Sequence, residues 1–216
     1  MIKLISSLAA IGLMGTAAHA EEVFTVKAKA ISSSSNLQAN SVTFQGPTGV
    51  SQLENSDTKA NAMGFGADFD FRVGEYGHLG AEVNYTDYFN SNEKVSYKDL
   101  YPAVYGAVDF LKDTNYSVYA KAGVSYHNLE LEDSKVGPVT VAYDDFDIWN
   151  FDAGLGVNSK LTKDTSIGLE YRYTGSFQAE SVALNTSGVG LTPSSQRLRD
   201  IKLMKNEVTA SVGMML

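Results

Sequence analysis

The chain has 216 residues, no cysteine and a formal net charge of -8 at pH 7. It therefore holds no disulfide, although small exported domains often depend on them. The acidic balance argues against general nucleic-acid binding, which needs a basic face. Its length suits a single domain.

The first twenty residues have the order of an export signal. Lys3 precedes an apolar run from Leu4 to Met14, and small residues follow up to Ala20. This order is typical of a cleavable signal peptide. The apolar run is shorter than the roughly 20 residues that a membrane-spanning helix needs. We therefore predict a signal peptide at residues 1–20 and one β-barrel domain at residues 21–216.

Beyond residue 20, apolar and polar side chains alternate along eight segments, and none shows sustained helical periodicity. The segments lie at residues 23–31, 63–72, 78–89, 101–111, 116–128, 148–159, 166–175 and 207–216. Successive side chains on a strand point to opposite faces. Each segment therefore has one apolar face and one face that carries glycine and charge.

The connections between these segments differ in length. Those near residues 73–77, 112–115 and 159–164 are short, whereas those near 33–60, 90–96, 129–145 and 177–200 are mostly long and polar. Short turns at one end and long loops at the other are typical of bacterial transmembrane barrels. We predict an all-β fold, an eight-stranded antiparallel up-and-down transmembrane β-barrel. The segment 135–143 leaves ten strands as an alternative, and a soluble barrel with its apolar face inward is another.

In the predicted barrel the apolar faces contact lipid and the other faces fill a narrow interior. Eight strands leave an interior just wide enough for side chains, and buried charges there must be paired. The inward faces carry acidic and basic residues in similar number, as expected if their charges neutralise one another in a packed interior. The predicted lumen charge network consists of Lys27, Lys29, Asp68, Asp70, Arg72, Glu82, Asp109, Lys121, Asp152, Glu170, Arg172 and Glu207.

Aromatic residues cluster where strands meet connections, as in the girdles of membrane barrels. The predicted girdles comprise Phe71, Tyr76, Phe110 and Tyr116 at the short-turn end, and Tyr88, Phe89, Tyr97, Tyr101, Trp149, Tyr173 and Phe177 at the other. Pro102 lies inside a predicted strand, where it cannot donate to the ladder. We expect a bulge near the outer rim or a strand that begins after Pro102. The serine-rich stretch 32–41 is predicted to be an exposed loop.

The stretch SIGLEYRYTGSF (Ser166 to Phe177), with the motif EYRYT and a final alternating strand, resembles a known family. It is similar to the small outer-membrane β-barrels of Gram-negative bacteria, the opacity-protein and OmpA/OmpX-like surface proteins. The resemblance implies location in the outer membrane and insertion by the barrel-assembly machinery. In that family the last strand usually ends in an aromatic residue, whereas this chain ends in Leu216.

A hydrolase is one alternative function, because Ser125 and His127 share a strand face and could serve as nucleophile and base. Their positions lie about 7 Å apart along a strand, too far for direct contact without bending. We therefore predict no enzymatic activity, and we predict that His78 is solvated. The acidic residues Asp144, Asp145 and Asp147 match no metal-binding loop, so neither metal nor cofactor is predicted.

The predicted function is structural or interactive, with long loops that present a surface to an extracellular or host ligand. Narrow-pore activity is the second candidate, and lipid A modification is a distant third. A basic segment near the outer rim could contact the phosphates of lipopolysaccharide, which arginine binds in a bidentate manner. The candidate contacts are Arg197, Arg199, Lys202 and Lys205.

Overall fold

The computed structural model describes residues 24–39, 42–46, 49–53, 56–89, 96–112, 115–131, 134–136, 139–143, 145–176, 182–188, 194–198 and 201–216. The signal peptide predicted at residues 1–20 lies outside these ranges. The strands are β1 (Phe24–Ala39), β2 (Val42–Gly46), β3 (Gly49–Leu53), β4 (Ser56–Val73), β5 (Gly77–Phe89), β6 (Tyr97–Lys112), β7 (Tyr116–Leu131), β8 (Ser134–Val136), β9 (Val139–Tyr143), β10 (Phe146–Lys160), β11 (Thr165–Ser176), β12 (Val182–Gly188), β13 (Ser194–Leu198) and β14 (Lys202–Met215). Among the described residues, no helix has the length and hydropathy to span a bilayer.

Eight strands close into one antiparallel barrel, which confirms the predicted fold class. Their order is β1-β14-β11-β10-β7-β6-β5-β4, and β1 closes the ring by pairing with β4. The remaining strands form a four-stranded sheet, β13-β12-β9-β8, and a separate β2-β3 hairpin. The segment 135–143, which raised the possibility of ten barrel strands, contributes β9 and most of β8 to that smaller sheet.

The barrel strands are longer than the sequence predicted, with lengths from 12 to 18 residues. The prediction of a loop near residues 33–60 was wrong in part, because β1 runs to Ala39 and pairs with β4 from Ser56 onward. Ser33 and Ser35 are buried on the inner face. Their hydroxyls contact the phenol oxygens of Tyr88 and Tyr97, so the serine-rich stretch as far as Ala39 belongs to β1 and is not an exposed loop.

Pro102 lies within β6, which begins five residues earlier. The β6–β7 ladder pairs Leu100 with Asn128 and Ala103 with Ser125, so pairing is interrupted across Pro102 without a change of register. The register shift falls instead between Asp109 and Leu111, at the other end of the strand. The expected bulge near the outer rim is therefore wrong, because a gap in one ladder accommodates the missing donor.

The two faces of the barrel wall separate as the alternation predicts. Large apolar side chains point outward, among them Phe65, Leu79, Leu155 and Val212. The inner face holds glycine beside bulky residues, and a Cβ atom at Gly80 would collide with the ring of Tyr105. A wall that exposes its apolar face and buries its charges has the polarity of a protein in lipid.

The two ends of the barrel are distinct. The ends of β4, β6 and β10 and the starts of β5, β7 and β11 lie at one end of the barrel. The start of β1 and the end of β14 meet at the same end, where the Leu216 amide donates to the Phe24 carbonyl oxygen (2.8 Å). Transmembrane barrels place short turns on the periplasmic side and long loops outside. This rule predicts that this end is periplasmic and that the opposite end is extracellular.

Candidate functional site: the filled lumen

The centre of the lumen is a carboxylate surrounded by three cations. Glu82 on β5 is 1 % exposed and faces Lys29 of β1, Lys121 of β7 and Arg172 of β11. The Lys121 ammonium lies 3.0 Å from the carboxylate, and Lys29 and Arg172 contact it directly. Because the four side chains come from four different strands, this cluster ties opposite walls of the barrel together.

The ion pairs continue from this centre toward the extracellular side. The Arg172 guanidinium lies 2.6 Å from Glu207, whose carboxylate is 3.2 Å from the Lys205 ammonium. Lys205 also donates to Asp99 at 2.8 Å, and Asp99 accepts from His127 Nδ1 at 2.8 Å. Neither Asp99 nor His127 was among the predicted lumen charges, and Lys205 was predicted to contact lipopolysaccharide.

Tyrosine hydroxyls satisfy further buried carboxylates. Tyr101 donates to Glu207 (2.7 Å), Tyr105 to Asp68 (2.6 Å) and Tyr119 to Glu170 (2.8 Å). These donors matter because the interior is more acidic than the sequence predicted. Eight buried carboxylates face five buried lysine and arginine side chains in the described part of the chain. Neutral hydroxyl donors therefore complete a lumen in which acids outnumber bases.

An apolar plug closes the extracellular end of the lumen. We give this name to the buried cluster of Leu37, Ala60, Ala62, Tyr88, Tyr97, Leu129, Phe146, Ile148, Ile201 and Leu203. At its centre the rings of Tyr88 and Tyr97 stack with centroids 4.3 Å apart. The girdle prediction was wrong for these two residues and for Tyr101, because all three share the inward parity of their strands. Phe177 lies outside the described residues.

Among the remaining predicted girdle residues, Phe71 is half-buried and the others divide between the two ends. Tyr76, Phe110 and Tyr116 are exposed at the periplasmic end, and Phe89, Trp149 and Tyr173 are exposed toward the extracellular end. Exposed aromatic rings near both ends of the strands match the interfacial belts of membrane barrels.

The network differs from the prediction in three residues, of which His78 and Arg72 lie at the periplasmic end. His78, predicted to be solvated, lies between Asp70 (3.1 Å) and Asp109 (3.0 Å). Arg72 reaches the carbonyl oxygen of Glu75 (2.7 Å) and makes no ion pair among the described residues. Asp152 is buried and accepts from the Thr174 hydroxyl (2.6 Å), with no cation in contact in the same part of the chain.

Ser125 and His127 are in direct contact, which corrects the expectation that their spacing keeps them apart. The Ser125 hydroxyl oxygen lies 2.8 Å from His127 Nε2, while Nδ1 faces Asp99. The long imidazole side chain bridges the distance between the two strand positions. All three residues are fully buried, so this Ser-His-Asp arrangement faces the packed lumen. Among the described residues, no group of acidic, histidine or cysteine side chains could hold a metal ion.

The predicted lipopolysaccharide contacts separate into different environments. Lys205 is fully buried in the lumen, so the prediction is wrong for this residue. Lys205 lies two residues before Glu207 on β14, so both side chains point to the inner face. Lys202 is exposed at the start of β14. Arg199 lies outside the described residues, and the Arg197 side chain does as well.

Comparison with known proteins agrees with this architecture. The family model of the outer membrane protein beta-barrel domain matches residues 6–193. The chain belongs to this family. It is an integral outer-membrane protein of the Gram-negative type, so its surroundings are outer-membrane lipid and lipopolysaccharide. No curated protein sequence is significantly similar to it.

Two solved structures of outer-membrane proteins show the same fold. Neisserial surface protein A is 16% identical, with a TM-score of 0.50, and the alignment covers 88% of this chain and 96% of that one. OprG from Pseudomonas aeruginosa is 12% identical, with a TM-score of 0.53, and the alignment covers 90% and 96%. At these identities the likeness extends to the barrel fold of the family and no further.

Proposed function

We propose that this family member is a closed, non-enzymatic scaffold that presents its long loops at the cell surface, in a structural or adhesin-like role. The observation that carries the proposal is the filling of the middle and the extracellular side of the lumen. Ion pairs around Glu82 occupy the middle, and the apolar plug lies on the extracellular side. An interior packed in this way leaves the loops and the four-stranded sheet β13-β12-β9-β8 as the parts that meet other molecules at the cell surface.

The same proposal includes the partners that the family setting implies. The barrel-assembly machinery inserts the chain, and the loops contact lipopolysaccharide or an extracellular or host ligand. Lys202, which is exposed near the extracellular rim, is the predicted contact whose described position suits the phosphates of lipopolysaccharide. Arg197 and Arg199 stay candidates from the sequence.

One observation favours the second candidate, a narrow channel for small solutes or ions. The side-chain amides of Asn84 and Asn150 are buried in the lumen without a hydrogen-bond partner in the described part of the chain. Buried polar groups of this kind commonly bind internal water. A chain of such waters would give ions a route if the ion pairs rearranged.

The lipid A-modifying enzyme stays the third candidate. Its support is the contact of Ser125, His127 and Asp99, the residue types of a hydrolytic triad. Catalysis also needs access for the substrate, and all three side chains are fully buried among lumen residues. Lipid A lies in the outer leaflet, on the other side of the barrel wall.

A permeability measurement separates the scaffold from the channel. We expect vesicles that contain the folded barrel to release a small entrapped solute no faster than protein-free vesicles, because the lumen is filled. Heat-modifiable migration on a gel verifies that the protein in the same vesicles is folded. Steady single-channel conductance steps from the wild-type protein would contradict the scaffold proposal and support the channel.

The display of the loops is tested by epitope insertion in intact cells. An epitope placed between β8 and β9, at residues 137–138, is expected to bind antibody on intact cells. The matched control carries the same epitope in the short turn at residues 162–163, and we expect labelling there only after the outer membrane is permeabilised. Labelling of the control in intact cells would reverse the orientation on which the proposal rests.

A further inference from the structure

The lumen opens at its periplasmic end into a cavity of about 140 Å³, which we call the vestibule. Its charged lining consists of Lys27, Asp70, Arg72, His78, Asp109 and Lys160. Sites for drug-sized ligands usually measure roughly 300–1,000 Å³. The vestibule is therefore suited to one small charged group.

The two carboxylates of the vestibule are already engaged by basic side chains of the barrel. Asp70 accepts from the Lys27 ammonium at 3.0 Å and faces His78 Nδ1 at 3.1 Å. Asp109 faces the other ring nitrogen, Nε2, at 3.0 Å. An ionised carboxylate only accepts hydrogen bonds, so these contacts need a proton on each nitrogen of His78. The imidazole then adds a positive charge to the vestibule.

The two other cations keep donors available. The Arg72 guanidinium donates to the Glu75 carbonyl oxygen at 2.7 Å, which uses one of its five N–H groups. Lys160 is exposed at the end of β10. Neither residue makes an ion pair within the part of the chain that the structure describes. The vestibule therefore has more positive charge than its own carboxylates neutralise.

We propose that the vestibule binds a phosphate group on the periplasmic side of the membrane. Arg72 offers a planar fork that matches two phosphate oxygens, and Lys160 supplies a second charge. Hydroxyl groups of Ser117 and Ser166 line the same cavity and add neutral donors. Behind the vestibule, beside the buried Asp68 and Glu170, the cavity narrows to about 10 Å³, which is about the space that one water molecule needs. The phosphate group therefore stops at this end.

Such a phosphate has two sources at this depth. It belongs either to a soluble phosphate compound of the periplasm or to the headgroup of an inner-leaflet phospholipid. Both present the same tetrahedral oxyanion, and both reach the vestibule through its open end. Phosphate binding in the vestibule requires neither conduction through the barrel nor a ligand on the extracellular loops.

Calorimetric titration with inorganic phosphate tests the site. The folded full-length mature protein is used in an uncharged detergent and a phosphate-free buffer, and we expect saturable binding to one site. The double variant Arg72→Gln with Lys160→Gln is expected to bind at least tenfold more weakly. Lys98→Gln, which removes a cation from β6 near the extracellular end, is the matched control and retains wild-type affinity.

The outcomes distinguish the site from general charge attraction and identify the source. Absence of saturable binding, or equal weakening in the Lys98→Gln control, would overturn the proposal. A heat-modifiability gel shows whether each variant is folded before titration. In nanodiscs, weaker phosphate binding with phosphatidylglycerol than with an uncharged synthetic lipid that lacks phosphate identifies the headgroup as the occupant. Equal binding in the two lipids identifies a soluble phosphate compound.

Discussion

Replacing Lys205 with methionine is expected to lower the free energy of unfolding by about 3–5 kcal/mol, the usual cost of breaking a buried ion pair from one side. Lys205 is fully buried and lies 2.8 Å from Asp99 and 3.2 Å from Glu207. Methionine keeps the length of the side chain but leaves both carboxylates without this cation. The measurement is urea denaturation in lipid vesicles, followed by the loss of the folded band on an unboiled gel.

Lys202→Met is the matched control for this experiment. Lys202 lies three residues earlier on the same strand and is exposed, so its replacement is expected to leave the urea midpoint unchanged. If the barrel instead tolerates Lys205→Met as well as it tolerates Lys202→Met, the buried ion pairs of Lys205 do not stabilise the fold. The prediction that Lys205 stabilises the barrel from within the lumen would then be wrong.

Replacing Glu82 with glutamine is expected to have a similarly large effect, again about 3–5 kcal/mol. Glutamine has nearly the same shape but no charge, and it leaves Lys29, Lys121 and Arg172 facing one another around the centre of the lumen. Repulsion between like charges in a buried site adds to the loss of their partner. The same urea titration measures the change, and the folded band is expected to disappear at lower urea concentration.

Glu130→Gln provides the comparison for Glu82. Glu130 is exposed on β7, so removal of its charge is expected to leave the urea midpoint of the folded band unchanged. A second variant, Glu82→Gln with Lys121→Met, removes one of the three cations that lose the Glu82 carboxylate and is expected to recover part of the lost stability. Failure of this pair to recover any stability would mean that the Glu82 effect does not arise from the cations around it.

The alternation of residue types predicted which face of each strand points inward, and it did so because a strand has a period of two side chains. It therefore placed Glu82, Lys121 and Arg172 in the lumen, where the structure brings them together. The same rule could have found Asp99, which shares the inward parity of β6 with Asp109. It was missed because the predicted strand began at residue 101, four residues after the structural start.

Other features depend on contacts that no local pattern contains. His78 was predicted to be solvated from its place near a turn, yet Asp109, 31 residues away, lies against its ring. The aromatic cluster at the extracellular end was assigned to a girdle, although Tyr88 and Tyr97 turn inward and stack. Proximity to a strand end gives the depth of a residue in the membrane, whereas parity decides which side of the wall it occupies.

The sequence by itself determined the class of fold, the two faces of the wall and the asymmetry of short turns and long loops. These features follow from spacing along the chain, and spacing is local. Only the tertiary structure decided which charges are paired, because partners such as Lys205 and Asp99 are separated by 106 residues and meet through the closed barrel. The same closure created the vestibule, whose cations Arg72 and Lys160 come from strands that do not neighbour each other.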